Sequence, residues 1–537
     1  MPTKRIVVLL AVLVLTCESS CSTTSAPPPP SPPPAIDSSI PGYHLVVYGA
    51  TAGGVIAAVS AAQQGLKVAL IEPGSHVGGM VAAGLGATDS GNKNLIGGRS
   101  REFFRRMGAA YGTSIAWKFE PHIAEQVLKG WLSEAGVNVF YNHGLSSVDF
   151  SNRRINNVTL DDGTIYTAGV FIDASYEGDL MAKAGVSYAV GREGVATYQE
   201  SLAGKQSHSQ YHQFTTPLSA FDSQGTLLPM VGAADGKNPG DGDTKIPAYT
   251  YRLCLSTDPA NRIPFSQPPG YDPKRYELLQ RYLSQNAATI TLGNILALSP
   301  LPNNKSDCNN NGPISTDLIG GNWDYPEADA ARRGQIRDDH KLYIQGLLYF
   351  LSHDPGVPTT VRNQMLAWGL AKDEFTDTGN WPFQLYVREA RRLIGKYVMT
   401  QADLLTSLIQ TDSVGMGSYS IDSHHVQRSV APDGTVINEG DVEVPVRGYQ
   451  IPYRSIVPRD GECENLLVPV CISASHIAYS SLRMEPQYMI LGDAAGIAAY
   501  LAVRDRKPVQ SVDTNELAVR LRQRQQVLSL QDPVPVP

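Results

Sequence analysis

Residues 43–79 read YHLVVYGATAGGVIAAVSAAQQGLKVALIEPGSHVGG, and this stretch decides the fold. An apolar run of strand length, residues 45–48, leads into a glycine-rich turn. An alanine-rich run of helical length, residues 55–64, follows, and then a second apolar run that ends in Glu72. The order of strand, turn, helix, strand and acid predicts a Rossmann-like unit with parallel strands.

The turn carries most of a dinucleotide-binding fingerprint. Gly49 permits a tight turn, and Gly54 permits close packing of the helix on the strand. The helix N-terminus near Gly53 would face a pyrophosphate with free N–H groups and the positive end of the helix dipole. Thr51 replaces the middle glycine of the usual motif, and its small side chain still lets the backbone approach a phosphate. Glu72 would accept hydrogen bonds from an adenosine ribose; the alternative is the same fold without a ligand.

Length, composition and charge indicate a globular protein and limit its kinds of partner. A chain of 537 residues exceeds what one simple core usually organises, so we expect two domains. Hydrophobic residues make up 42% and charged residues 18%, which is ordinary for a globular protein. The formal net charge of −7 shows no basic surplus, so we expect no nucleic-acid partner.

The N-terminal residues do not have the pattern of a folded domain. Basic residues precede an apolar run at 6–15, which predicts a secretory leader over residues 1–21. Residues 22–41 are rich in proline and would form a tether that cannot build a core. We therefore expect an exported protein, periplasmic or at the cell surface. A lipid anchor to the membrane at Cys17 or Cys21 is left open.

The rest of the chain divides into four segments. Residues 42–195 form a first part of the nucleotide-binding domain, and residues 446–505 form a second part, where apolar strand character resumes. Residues 196–445 are rich in aromatic residues and proline, so we expect an inserted substrate or cap domain there. Residues 506–537 form a C-terminal helix and tail. The cysteines after the leader stand in no metal-ligand spacing, and no metal site is predicted.

Local patterns predict the main secondary elements. Helices are expected at residues 120–135, 272–285, 328–352, 358–371, 385–401, 487–502 and 504–526. Strands are expected at residues 137–141, 146–150, 155–160, 165–168 and 170–174, with the middle three in an antiparallel meander.

Seven stretches carry a resemblance to a known family. They are GGMVAAGLGATD from Gly78, DASYEGDLMAKAGVSYAVGREG from Asp173, YRLCLSTDP from Tyr251, LYVREARR from Leu385, SIDSHHVQR from Ser420, IPYRSIVPR from Ile451 and SASHIAYSSLRMEPQYMILGDAAGIAA from Ser473. Together they resemble the FAD-dependent oxidoreductases of the glutathione-reductase-like superfamily. In particular they are similar to a mostly bacterial family, some of whose members carry xanthan-lyase names. The resemblance covers residues 43–505.

This resemblance implies an α/β fold: a Rossmann-like FAD-binding domain of glutathione-reductase type, split by an inserted mixed α+β substrate domain. It implies FAD as the cofactor, with the pyrophosphate at residues 49–54 and the ribose at Glu72. Further FAD contacts are implied at Gly78, Gly79, Met80, Asp173, Gly178, Asp179, Arg483 and Glu485.

The resemblance also places the end of the last stretch beside the flavin. Gly492, Asp493, Ala494 and Gly496 are expected just inside a helix start, where free N–H groups would stabilise negative charge on the reduced flavin. The alternative is close helix packing by small residues. No second glycine-rich turn is followed by a helix and an acid, so no NAD(P)H domain is predicted. We expect the substrate to reduce the flavin, and oxygen, a quinone or a carrier to reoxidise it.

Histidine and arginine residues are the candidates for catalysis. His476 and His424 are candidate bases for the proton that leaves during C–H oxidation, because histidine titrates near neutrality. Asp422 could orient His424. Arg388 lies four residues before Arg392 in a predicted helix and could clamp a carboxylate or sugar hydroxyl groups. Structural histidines and salt bridges to neighbouring acids are the alternatives.

These features predict an FAD-dependent oxidoreductase that transfers hydride from a small organic substrate, with sugar derivatives as one class, to flavin. Two alternatives stay open. One is a flavin-dependent redox-neutral or lyase enzyme that acts on polysaccharide fragments. The other is a non-catalytic surface lipoprotein that retains a nucleotide fold.

The leader and the tether predict export. Fractionation of cells that express the full chain should find the cleaved protein outside the cytoplasm. Finding the uncleaved chain in the cytoplasm would reject export, and failure to incorporate a palmitate analogue would reject only the lipid anchor.

Overall fold

The computed structural model of the chain describes residues 42–207, 209 and 211–535. The leader and the tether predicted for residues 1–41 lie outside the described residues. Within the part of the chain that the structure describes, no helix combines the length and the apolar character needed to cross a membrane.

Most described strands are short. They are β1 (Tyr43–Tyr48), β2 (Val68–Glu72), β3 (Asn138–Tyr141), β4 (Leu145–Ser151), β5 (Arg154–Leu160), β6 (Ile165–Asp173), β7 (Tyr188–Ala189), β8 (Leu253–Ser256), β9 (Arg262–Ile263), β10 (Leu296–Leu301), β11 (Lys305–Asn310), β12 (Gly369–Ala371), β13 (Arg392–Leu393), β14 (Ser413–Gly417), β15 (Ile421–Ser423), β16 (Gln427–Val430), β17 (Val436–Glu439), β18 (Val442–Val444), β19 (Tyr449–Pro452) and β20 (Leu466–Leu467).

The described α-helices range from one turn to more than five turns. They are α1 (Ala52–Ala62), α2 (Gly98–Ala110), α3 (Pro121–Glu134), α4 (Asp179–Lys183), α5 (Val195–Tyr198), α6 (Glu277–Gln285), α7 (Ala330–His353), α8 (Thr359–Leu366), α9 (Gln401–Thr406), α10 (His476–Leu482), α11 (Glu485–Asp505) and α12 (Thr514–Gln523).

A seven-stranded sheet lies at the centre of the Rossmann-like unit. Its order is β3-β2-β1-β6-β5-β4, and β20 adds to β6. β3, β2, β1, β6 and β20 run parallel, whereas β4, β5 and the start of β6 form the predicted antiparallel meander. In β1 the residues from Leu45 to Tyr48 are buried, as expected for a strand covered on both faces.

β6 differs from the sequence prediction of two strands. It is one strand whose first residues pair with β5, while its later residues pair with β1 and β20. β6 changes its partner strands without a break in the backbone. The pattern of apolar residues changes where the partners change. This long strand delivers Asp173 to the same sheet edge as the glycine-rich turn after β1.

Helices α1 and α11 cross at very short distance on this sheet. A Cβ atom at Gly492 would lie 2.1 Å from the carbonyl oxygen of Gly53, and one at Gly496 would lie 2.4 Å from the carbonyl oxygen of Ala57. Only glycine fits at both positions. Residues near the C-terminus of the chain are thereby packed directly on the first helix.

A second sheet belongs to the inserted segment, residues 196–445. Its order is β10-β11-β8-β12-β9, and every pair in it is antiparallel. Helices α6, α7 and α8 belong to the same segment. The segment thus contains both helices and strands, and its role as a separate inserted domain stays a prediction.

The helix predicted for residues 385–401 was wrong. These residues run extended, with the short strand β13 within them, and α9 begins only at Gln401. The segment passes through the interior, where Leu385 and Arg388 are buried and Tyr386 N–H donates to the carbonyl oxygen of Thr250. Tertiary contacts therefore override the helical propensity of the sequence.

Other helix predictions were confirmed with changed ends. Residues 120–135 and 328–352 form α3 and α7. The helix predicted at 358–371 ends at Leu366, and β12 follows it. The helix predicted at 504–526 is the shorter α12.

Gly492→Ala should destabilise the protein, because the added Cβ meets the backbone of Gly53. Overpacking of this kind costs about 1–3 kcal/mol of unfolding free energy. Gly130→Ala in α3 is the matched control, since no atom lies within 4 Å of the added Cβ there. Helix propensity makes that change neutral or stabilising by up to about 1 kcal/mol. Denaturant unfolding of both variants measures the difference, and equal stabilities would contradict the close crossing.

Candidate active site

The turn after β1 is built for close approach of the backbone. Gly49 has φ of +93°, and a Cβ atom there would lie 2.7 Å from the backbone nitrogen of Ser175. Thr51 is the N-cap of α1: its Oγ1 accepts from Gly54 N–H at 3.1 Å and donates to the carbonyl oxygen of Ala174 at 2.8 Å. The residue that replaces the usual glycine therefore ties the turn to the loop after β6.

Glu72 lies at the end of β2 and faces the same turn. Its Oε2 accepts from Ala50 N–H and its Oε1 accepts from Gly74 N–H, each at 2.7 Å. Burial raises the pKa of Glu72 to about 7. The carboxyl group thus lies beside the turn and is readily protonated near neutral pH.

A cavity of about 420 Å³, called the first cavity below, follows this turn. Its walls include Gly49, Thr51, Glu72, Gly79, Ser175 and Tyr176. Gly53 and Gly54 lie behind this wall, where Gly53 packs against the carbonyl oxygen of Tyr488. Gly54 packs against the carbonyl oxygen of Gly49.

Tyr176 joins two of the segments predicted to contact the cofactor. Its hydroxyl group donates to Glu485 Oε1 at 2.7 Å and accepts from Met80 N–H at 2.9 Å. Gly79 has φ of +53°, and a Cβ there would lie 2.3 Å from this hydroxyl oxygen. Gly78 donates its N–H to the carbonyl oxygen of Ala50. Sequence reasoning missed Tyr176, although it lies within the family stretch that begins at Asp173.

Glu485 is the first residue of α11. It is 2% exposed, and its Oε2 has no hydrogen-bond partner within the described residues. Burial raises its pKa to about 8. This carboxyl group is therefore neutral in part at pH 7 and able to donate as well as accept.

Asp173 and Asp179, predicted as FAD contacts, have partners within the protein. Asp173 is fully buried: it accepts from the backbone and hydroxyl of Ser175 and, at 2.8 Å, from Met181 N–H. Asp179 pairs with Arg333 at 2.6 Å and Arg391 at 2.7 Å. These carboxylates, with Gly178 as N-cap of α4, shape the loop that carries Ser175 and Tyr176.

Gly492, Asp493, Ala494 and Gly496 do not lie at a helix start, so that prediction was wrong. They occupy the middle of α11, which begins at Glu485, and their N–H groups lie within the helix. Asp493 Oδ1 accepts from Ser60 Oγ at 2.6 Å and pairs with Arg524 at 2.5 Å. The alternative of close helix packing is the correct one.

The second cavity has a volume of about 360 Å³ and a charged lining. Its walls include Asp89, Arg252, Tyr386, Asp422, His424 and Arg483. Arg483, predicted to contact FAD, lies here rather than in the first cavity: it donates to Tyr386 Oη at 3.0 Å and to the carbonyl oxygen of Asp422 at 2.7 Å.

His424 is held by a residue that the sequence did not indicate. Its Nδ1 lies 2.8 Å from Asp317 Oδ2, whereas Asp422, the predicted orienting residue, is 3.9 Å from Nε2. Burial and the nearby Arg388 lower the pKa of His424 to about 4, so the ring is neutral at pH 7. With Nδ1–H donated to Asp317, the neutral ring keeps its lone pair on Nε2.

Arg388 is not a substrate clamp as predicted. It is 1% exposed and pairs with Asp317 at 2.9 Å, while its other terminal nitrogen donates to the carbonyl oxygen of Ala248. The Arg388 guanidinium holds the pKa of Asp317 well below its usual range. Arg388 is thus a positioning residue for Asp317, and through it for His424.

His476 does not have the surroundings of a catalytic base. It is 2% exposed; its Nδ1 lies 2.8 Å from Glu389 Oε2 and its Nε2 lies 3.1 Å from Ser423 Oγ. Glu389 in turn pairs with Arg392. Both ring nitrogens are engaged, so the structural alternative fits His476.

The cations of the second cavity are Arg252 and Arg483, which the sequence analysis did not assign to substrate. Arg252 makes a bidentate pair with Asp307 at 2.9 and 2.8 Å. Arg252 lies in the family stretch that begins at Tyr251. This was the only feature of the sequence that could have indicated a functional role for Arg252. Its partner Asp307 is distant in sequence and carries no motif.

A family model described as FAD dependent oxidoreductase matches residues 44–521. The chain belongs to this family. FAD is therefore its cofactor, and the family assignment supports an FAD-dependent oxidoreductase.

Solved structures align with parts of this oxidoreductase. AlpK is 13% identical over 51% of this chain and 44% of its own, with a TM-score of 0.27. Anhydrotetracycline hydroxylase OxyS from Streptomyces rimosus is 14% identical over 33% and 42%, with a TM-score of 0.23. L-proline dehydrogenase from P. horikoshii is 16% identical over 35% and 64%, with a TM-score of 0.24. The chain thus spans less than two thirds of each of them. Comparison with curated proteins gives no match.

The residues of the first cavity fit FAD. The N-terminal turn of α1 offers N–H groups to phosphate, and Glu72 offers a carboxyl group to a ribose. Behind the cavity wall, Glu485 accepts from the Tyr176 hydroxyl group, and its other oxygen has no hydrogen-bond partner among the residues that the structure describes. The assignment of individual residues to FAD atoms stays a prediction.

Gly54→Asp should abolish FAD retention. The new Cβ would lie 2.0 Å from the carbonyl oxygen of Gly49, so the turn must open. Gly130→Asp adds the same side chain at an open helical position and should stay yellow. Flavin absorbance per protein, measured beside circular dichroism, gives the result. A folded, fully yellow Gly54→Asp protein would contradict the assignment of the turn.

Proposed function

We propose that this enzyme oxidises a small polar substrate in the second cavity, with hydroxyl-bearing compounds such as sugar derivatives as the substrate class. The observation that carries the proposal is His424, held by Asp317 in the wall of a cavity of about 360 Å³. A neutral histidine fixed in one tautomer is the group that a C–H oxidation requires to take the proton of a hydroxyl group.

His424 is the base in this proposal. Its Nε2 takes the hydroxyl proton while the adjacent C–H bond gives up its hydride. Bound FAD supplies the hydride acceptor. Asp317 stabilises the imidazolium that forms, and Arg388 keeps Asp317 ionised, so the proton stays on His424.

Arg483 and Arg252 replace Arg388 as the substrate clamp. Both line the cavity, and each is held by fixed partners, Arg483 by Tyr386 and Arg252 by Asp307. Guanidinium groups with one side satisfied by protein present the remaining N–H donors in a fixed direction. Asp89, whose pKa burial raises, adds an acceptor on the same wall. The mixture of donors and acceptors suits hydroxyl groups or a carboxylate.

The proposal also covers the electron acceptor and the cellular compartment of the enzyme. We propose that oxygen, a quinone or a carrier reoxidises the flavin, and that the enzyme works outside the cytoplasm. Support comes from the leader-like residues 1–21 and from a sequence with one nucleotide-binding turn.

An anaerobic screen tests the proposal. The holoenzyme is mixed with sugars, polyols, amines and acids, and flavin absorbance is followed. Bleaching by a hydroxyl compound supports oxidation, and its recovery on addition of oxygen or a quinone identifies the acceptor. Product formation from a polysaccharide fragment without bleaching would favour a redox-neutral lyase reaction and overturn the proposal.

His424→Gln should slow flavin reduction by the substrate about 100-fold or more, because loss of a general base has that effect. FAD should stay bound, since His424 lines the second cavity and not the first. Stopped-flow absorbance measures the rate. His353→Gln, at an exposed position that lines neither cavity, is the control and should react at the wild-type rate.

A pH profile separates a base from a merely structural histidine. The neutral ring is the active form, so reduction by the wild type should be constant near neutrality and fall as pH drops towards the His424 pKa of about 4. The groups around His424 are Asp317, Arg388, Asp422 and His425. A His424→Gln rate that equals the wild type, or that keeps this acidic limb, would reject the base.

A further inference from the structure

One residue in the wall of the first cavity comes from the inserted segment. Arg337 of α7 lines this cavity together with Gly49, Thr51 and Ser175. The last three lie at the carboxyl edge of the central sheet, after β1 and β6, whereas α7 lies within residues 196–445. Among the described residues that line the first cavity, Arg337 is the only lysine or arginine.

The neighbouring arginines are already paired with acids. Arg333 and Arg391 share Asp179, and Arg332 pairs with Asp324 at 2.6 Å. Arg337 has no ion pair within the part of the chain that the structure describes. A guanidinium group that lines a cavity without a protein anion is in position to meet an anion of a ligand.

Arg337 also lies where two cavities meet. A third cavity of about 770 Å³ meets the first one, and the two share Pro73, Ser175, Glu177, Tyr325 and Arg337. A dinucleotide is long and needs more room than the first cavity alone provides. Its central part, the pyrophosphate, would lie near the junction, next to the turn after β1.

A diphosphate in the first cavity would favour such a cation. Glu72 and Glu177 both line the first cavity, and burial raises the pKa of both. The N-terminus of α1 contributes only about half an elementary charge. A buried diphosphate next to two carboxyl groups needs further positive charge, because an unpaired buried anion is costly.

We propose that Arg337 binds the pyrophosphate of FAD, so that the inserted segment completes the cofactor site. The guanidinium group would meet the phosphate within the cavity whose wall it shares with Gly49 and Thr51, and it would neutralise charge that the helix dipole leaves unbalanced. α7 is then held to the Rossmann-like unit through the cofactor as well as through protein contacts. The inference rests on FAD as the cofactor and does not depend on the substrate proposed for the second cavity.

Release of flavin from the purified holoenzyme tests this role without any substrate. The protein is diluted at fixed temperature, and the rise of free-flavin fluorescence gives the release rate at low and high salt. The variants are Arg337→Met, which removes the charge, and Arg337→Lys, which keeps it without the planar fork. Arg332→Met is the matched control, an exposed arginine on the same helix that lines neither the first nor the third cavity.

Arg337→Met should release flavin about 10- to 100-fold faster than the wild type, as loss of a charge-assisted hydrogen bond predicts. Arg337→Lys should be intermediate, and Arg332→Met should match the wild type. Added salt should accelerate release from the wild type more than from Arg337→Met, because the screened interaction is absent in the variant. This salt effect is a readout that a purely structural arginine would not change.

Other outcomes also decide the matter. A folded but flavin-free Arg337→Met protein beside a yellow Arg337→Lys protein supports the proposal. Wild-type release from Arg337→Met overturns it, and so does equally fast release from Arg332→Met. If Arg337→Met does not fold, Arg337→Lys decides alone: unchanged rate and salt dependence overturn the proposal, and faster release with lower salt dependence supports it.

Discussion

The backbone contact between α1 and α11 is the constraint on which the rest of the structure depends. The helices approach until glycine is the only residue that fits, at Gly492 against Gly53 and at Gly496 against Ala57. This contact fixes the start of α11, and with it Glu485, relative to the turn after β1. The hydrogen bonds of Tyr176 to Glu485 and to the backbone of Met80 follow from that placement. The first cavity is therefore a product of helix packing as much as of the glycine-rich turn.

The second cavity depends on compensation among buried charges. Arg388 lies between Asp317 and the ring of Tyr386, which Arg483 also approaches. Removing one member of such a network leaves the others charged and unpaired, which costs far more than the whole network contributes. The neutral state of His424 is a consequence of this arrangement, because the Arg388 charge and burial oppose its protonation more than Asp317 favours it.

The fold was largely predictable from local sequence, because strands, turn and helix around residues 43–79 agree with one another at every level. The placement of Gly49, Thr51 and Glu72 around one turn could be predicted on the same ground, because all three belong to this one strand–turn–helix–strand unit. The partners of His424 and Arg252 could not, because Asp317 and Asp307 lie in other elements and no periodicity marks them. The error at Arg388 had a different origin. The sequence pattern of residues 385–401 favours a helix, but tertiary contacts hold this segment extended.

The position of Glu485 in the chain has a consequence for biosynthesis. The turn after β1 leaves the ribosome early, but α11 that covers α1 is made only near the end of translation. During that interval the face of α1 around Gly53 and Ala57 lacks its cover, so the nascent chain exposes apolar surface and needs protection from aggregation. The wall of the first cavity gains the partner of Tyr176, Glu485, only once α11 has been made. For an exported chain, the choice between transport before and after folding therefore decides which compartment must supply the flavin.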